Sequence, residues 1–160
     1  MSACELATIL VGAFSLSARA AMPPPVEIPI NITPGASVTV PFSISSIGTH
    51  DLELQYHTDA DTYHKILRNR LLENISGTVT LSSEGKGLER VLPTGWGRPW
   101  GPGAGRAGTV IVRFRAEAHK RYLCMLHITH VPPGLPHKAL LIVRYITPHF
   151  HPGHRVYELQ

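Results

Sequence analysis

The residues whose chemistry stands out are histidines, one cysteine and a pair of tryptophans. Near the C-terminus, His149-Phe150-His151-Pro152-Gly153-His154 places two imidazoles at i and i+2, with a third close behind. Residues two apart on an extended segment share a side, so His149 and His151 could begin a site for Zn²⁺ or Cu²⁺, with His154 as a further ligand. A short polar tail with incidental histidines accounts for the same spacing. Cys124, His127 and His130 also stand at metal-ligand intervals. In a strand, however, residues three apart point to opposite faces, so Cys124 and His127 cannot share an ion. Cys124 then reads as a small buried hydrophobe, and a thiol on an apolar face is unreactive.

Both tryptophans lie in Gly95-Trp96-Gly97-Arg98-Pro99-Trp100-Gly101-Pro102-Gly103, with Arg106 just beyond. Trp and Arg are the residue types that dominate binding hot spots, and an indole face can also stack on a sugar ring. Trp96, Arg98, Trp100 and Arg106 are therefore the expected binding residues, carried by a Gly/Pro-rich loop. The competing reading folds the indoles back to plug an open end of the core. For catalysis there is no G-x-S-x-G elbow, H-E-x-x-H, P-loop or dinucleotide fingerprint. Asp59 and Asp61 look like a paired acid, but capping a helix accounts for them. The expectation is a protein that is not an enzyme and carries no cofactor, with a transition metal on the C-terminal histidines as the alternative.

These residues must be held by short strands. Val26-Glu27-Ile28-Pro29-Ile30-Asn31-Ile32 alternates, and Pro29 cannot donate to a ladder, which predicts an edge strand. Val38, Val40, Phe42 and Ile44 form the next apolar phase, then Leu52, Leu54 and Tyr56 alternate with Asp51, Glu53 and Gln55 as a further half-buried strand. The period then switches. Tyr63, Ile66, Leu67, Arg70 and Leu71 share one helical face, with Asp59 or Asp61 as cap and Gly77 past the end. Strand signals resume at Thr78–Ser82, and again where Val110, Val112, Phe114 and Ala116 alternate with Ile111, Arg113 and Arg115. They continue over Tyr122–Val131 and over Ala139–Ile146, the last apolar enough to be covered on both faces. The fold class implied is mainly β: an antiparallel immunoglobulin-like β-sandwich with one crossover helix near residues 61–74.

Composition agrees. The 160 residues are 43% apolar and 16% charged, ordinary for a folded core, and 14 Pro with 14 Gly imply many turns. The net charge of +4 is scattered rather than gathered into a basic face interleaved with aromatics, which argues against a nucleic-acid partner. Leu6 to Leu16 is an apolar run of leader length, followed by the small-x-small pattern Ala18-Arg19-Ala20. That run is too short to span a bilayer, which needs about 20 apolar residues. The n-region lacks Lys and Arg and carries Glu5. The expected division is a signal peptide over 1–20 and a single sandwich domain over 21–160, without a transmembrane segment. Cys124 would then be the only cysteine left, so no internal disulfide is expected.

The stretch T-P-G-A-S-V-T-V-P-F-S-I at Thr33 to Ile44, then G-T-H-D-L-E-L-Q-Y at Gly48 to Tyr56, with L-L-E-N-I-S-G at Leu71 to Gly77, resembles an uncharacterised family of exported proteobacterial proteins. Many members of that family are lipoproteins, and it is grouped as a domain of unknown function. The likeness is best over residues 26–80. Beyond it, Pro132-Pro133-Gly134 echoes the family's turn before a late strand, with Leu135 where an aromatic is expected. The resemblance implies a β-sandwich of the periplasm or envelope and brings no catalytic residues. It says nothing about activity; the Trp96/Trp100 loop is what points to binding another envelope or secreted protein, as an inhibitor or immunity-type protein does.

Overall fold

The computed structural model describes residues 22–92, 105–147 and 155–160. In chain order these residues form β1 (Val26–Asn31), β2 (Ser37–Ile44), β3 (Gly48–His57), α1 (Ala60–Arg68) and a 3₁₀ turn at Leu71–Asn74. Then come β4 (Ser76–Ser83), β5 (Lys86–Leu92), β6 (Arg106–Ala116), β7 (Lys120–His130) and β8 (Lys138–Tyr145). All ladders are antiparallel and give two four-stranded sheets: sheet A in the order β1-β8-β3-β6, and sheet B in the order β2-β7-β4-β5.

The antiparallel sandwich with one crossover helix is therefore present, and its connectivity is more specific. Apart from the β4–β5 hairpin, every connection passes from one sheet to the other. That is the double Greek key of a jelly roll. The immunoglobulin likeness holds at the level of two packed sheets, since the immunoglobulin order would place β1 beside β2.

Alternation explains most of the core. Val40, Phe42 and Ile44 on β2, Leu52, Leu54 and Tyr56 on β3, and Cys124, Leu126 and Ile128 on β7 are all buried between the sheets. Each such aliphatic or aromatic side chain contributes about 1.5–3 kcal/mol on leaving water. β1 is an edge strand, with Pro29 opposite Leu140. β8 lies between β1 and β3, and its neighbours Leu141 and Ile142 are both fully buried, so it is covered on both faces.

Three local readings are corrected. The helix ends earlier than the apolar spacing predicts: Asp59 Oδ1 accepts from the Thr62 amide at 2.7 Å at its start, but Arg70 turns left-handed at φ 50° and the chain continues as the 3₁₀ turn. Gly77 is thus no helix stop. It sits in β4, where a Cβ would collide with the His127 carbonyl oxygen, so only glycine allows β4 and β7 to approach there. In β6 the register slips by one residue between Leu52 and Glu53 of β3, so Val110 shares the Glu53 side and the extra residue, Ile111, joins the core. Finally, β5 was invisible as a strand. It forms because Glu84 (φ 49°) and Gly85 (φ 81°) make a tight two-residue hairpin turn that brings Lys86 opposite Ser83.

The registers place three described connections, residues 32–36, 58–75 and 131–137, at one end of the sandwich, together with Leu92 and Gly105. Backbone hydrogen bonds tie them to each other and to the strands, from Ile32 N to His137 O at 2.7 Å, from Gly35 N to Ile128 O at 2.8 Å, and from Thr58 N to Gly105 O at 3.0 Å. Leu72, Ile75, Leu92 and Leu135 close the core beneath them.

Candidate functional site

Trp96, Arg98 and Trp100 lie outside the described residues, as do His149, His151 and His154. The two ends of the tryptophan segment are described. It leaves β5 at Leu92, the edge of sheet B, and enters β6 near Arg106, the edge of sheet A. Arg106 is half-buried and its Nη1 lies 3.4 Å from Glu27 Oε1 on β1. β1 and β6 are the two edges of sheet A, so this pair reaches across the whole outer face of that sheet. A pair so exposed contributes about 0–1 kcal/mol, and its consequence is to hold the guanidinium in place.

Beneath that span lies a constellation that alternation alone does not reveal. Asp51, Glu53 and Gln55 occupy the outward phase of β3 and were expected to face solvent on one side, yet all three are at most 3% exposed. The pairing explains why. Asp51 stands opposite Arg113 of β6 and Arg144 of β8. Arg113 Nε donates to Asp51 Oδ1 at 2.6 Å and Nη2 to Oδ2 at 2.7 Å, a two-pronged contact between buried groups. Arg144 Nε donates to Glu53 Oε1 at 3.2 Å, and Gln55 Nε2 donates to Glu53 Oε2 at 2.6 Å. Burial pushes the Glu53 carboxyl above its ordinary range despite the Arg144 charge beside it. Gln55 leans over Gly108, where a Cβ would come within 2.9 Å of its Cγ, and its Oε1 is buried with no partner. Ile142 is also fully buried on this side, outside the sandwich core. The sequence signal was present in the polar phases: acids on β3 flanked by arginines on both neighbouring strands. Reading it required the strand order.

Sheet B presents a different outer face. Thr39, Met125, Thr80 and Glu89 form one cross-strand row, and Ser37, His127, Thr78 and Val91 another. Met125 is 43% exposed and His127 is exposed. Ser37 Oγ and His127 Nδ1 are 2.9 Å apart at the surface, with no carboxylate orienting the ring among the described residues. Cys124 points the other way, fully buried, and burial pushes its thiol up to about 12. The separation of Cys124 from His127 is thus as strand geometry required. Among the described residues, no group of three or more His, Cys, Asp or Glu could hold a metal ion, and no helix is long and apolar enough to cross a membrane. No family model, curated protein or solved structure matches this chain.

Proposed function

We propose that this protein is an exported, non-catalytic binding module of the bacterial envelope, recognising another envelope or secreted protein through the segment that carries Trp96, Arg98 and Trp100, with Arg106 at its base. The observation that carries the reading is the convergence of three described connections at one end of the two-sheet scaffold, with Leu92 and Gly105, the described residues that flank the tryptophan segment, at that same end. A rigid sandwich that gathers its loops at one end offers them as a common recognition surface, with aromatic and Arg anchors as the energetic centre. The apolar run Leu6–Leu16 and Ala18-Arg19-Ala20 support export.

The test is native mass spectrometry of the untagged protein purified gently from its own host's envelope, for wild type and for Trp96→Ala/Trp100→Ala. Wild type should carry a protein partner and begin near Ala21, and the double variant should lose the partner with an unchanged melting temperature. A partner retained by the variant would overturn the role of the loop. A Met1 start would overturn export.

A further inference from the structure

Residues 155–160 run along the free edge of β6. Tyr157 N donates to Arg113 O at 3.0 Å and accepts at its carbonyl from Arg115 N at 2.9 Å, and Gln160 exchanges both backbone hydrogen bonds with Gly87 of β5. This segment thus joins the edge of sheet A to the edge of sheet B along one open side of the sandwich. Tyr157 bridges Phe114, which is fully buried. From the other sheet, Arg90 occupies a position opposite the fully buried Val79, so its side chain starts on the inner face of β5.

Two guanidiniums meet at that tyrosine. The Arg90 guanidinium carbon lies 4.4 Å from the centre of the Tyr157 ring and that of Arg155 lies 5.3 Å from it. Neither arginine has an ion-pair partner among the described residues. The acids next to hand are turned away. Glu89 adjoins Arg90 on the opposite side of β5 and accepts from Thr80, while Glu158 adjoins Tyr157 and pairs with Arg115. The Nε of Arg90 is buried and has no hydrogen-bond partner. Stacking on the ring explains why each cation is tolerated there. It leaves two like charges uncompensated and a buried charged donor unmet, which folded proteins rarely accept.

We propose that Arg90 and Arg155, gathered at the Tyr157 ring, form a binding site for a small oxyanion, of which phosphate is the simplest. An oxyanion would accept from the Arg90 Nε and the adjacent Nη in the fork geometry that guanidinium offers to phosphate or carboxylate oxygens. Arg155 would supply a second charge from the C-terminal segment. Because the two arginines belong to different parts of the chain, the bound anion also fastens residues 155–160 to β5.

The test uses the full chain and inorganic phosphate, with sodium chloride at matched ionic strength as reference. Titration calorimetry should show saturable binding to wild type, with a rise in melting temperature of roughly 2–4 °C near saturation. Arg90→Gln and Arg155→Gln should each weaken binding at least tenfold. A rise that persists unchanged in both variants is the general stabilisation by excluded salts and would overturn the site, as would the absence of saturable binding to wild type. If Arg90→Gln fails to fold, the exposed Arg155→Gln carries the comparison. Glycerol 3-phosphate as a second probe separates the sources: tighter binding than phosphate assigns the oxyanion to a phosphorylated organic molecule, and equal binding assigns it to the free ion.

Discussion

The outer faces of the two sheets have been handled in opposite ways by the same alternating pattern. On sheet B the outward phase holds Ser37, Thr39, Met125 and His127, and those residues remain exposed. On sheet A the outward phase holds Asp51, Glu53, Gln55 and Arg113, and those residues are buried in mutual hydrogen bonds. A polar phase therefore means solvent in one sheet and a second, charged layer in the other. The difference lies in what stands opposite: hydroxyls and a thioether across β2, β7 and β4, against carboxylates facing guanidiniums across β6, β3 and β8. Buried charge is tolerated only when it is paired and hydrogen-bonded, so the charged layer is an all-or-none arrangement in a way the hydroxyl face is not.

Breaking one partner should show this most strongly. Asp51→Ala leaves Arg113 buried without its carboxylate and should cost about 3–5 kcal/mol in urea unfolding, whereas Thr39→Ala on sheet B should stay within about 0.5 kcal/mol. Asp51→Leu/Arg113→Met together should recover much of the loss, because the penalty belongs to the unpaired charge. Equal effects of Asp51→Ala and Thr39→Ala would dissolve the contrast. Glycines sharpen it next. Gly108→Ala puts a methyl 2.9 Å from Gln55 Cγ and 3.3 Å from the Leu54 carbonyl oxygen, and should cost about 1–3 kcal/mol by the same measurement. Gly87→Ala, whose nearest neighbour is the Leu81 carbonyl oxygen at 3.9 Å, should be nearly neutral.

The pH dependence should also divide by position. Burial raises the Glu53 carboxyl above its ordinary 4.5, so the unfolded chain releases that proton first. Its contribution to stability is full below 4.5 and is lost as pH rises through the folded value. Burial lowers His50 below 6.5, in spite of its hydrogen-bonding distance of 3.2 Å to the Gly48 carbonyl and the charge of Asp51. His50 packs against Phe114 and Tyr145 inside the sandwich, so its contribution is present above 6.5 and is lost as pH falls toward the folded value. Unfolding followed across pH 4–8 should therefore lose, in Glu53→Gln, the fall in stability that begins as pH rises past 4.5 and, in His50→Gln, the fall that begins as pH drops below 6.5. A profile identical to wild type in both variants would sink the assignment. The smallest effect is chemical and leaves the fold intact: dilute peroxide should oxidise the exposed Met125 while the adjacent Cys124, with its thiol pushed up to about 12, stays unmodified in peptide mass spectra.

Much of the fold was legible because its signals are local. Pro29 marked an edge strand through its missing donor, the run Ala139–Ile146 marked a strand covered on both faces, and Asp59 or Asp61 marked a helix start, of which the structure uses Asp59. β5 was missed because Leu88-Glu89-Arg90-Val91 has no clean alternation. Its inner phase includes Arg90, which the chain places at an open side of the sandwich rather than in the apolar centre. The β6 bulge was missed because an inserted residue becomes visible only against the partner strand. Of the expected binding residues only Arg106 falls within the described chain, where it meets Glu27 across sheet A.

The sequence by itself determined the strand-rich class, the edge position of β1, the cap of α1 and the inert setting of Cys124, since each follows from the preferences of one residue and its immediate neighbours. Tertiary structure alone decided the jelly-roll order, the charged layer of Asp51, Glu53, Arg113 and Arg144, and the meeting of Arg90 and Arg155 at Tyr157. Those features depend on which strands become neighbours across 60 to 90 residues of chain, and the period-2 pattern that makes a strand is silent about its partner.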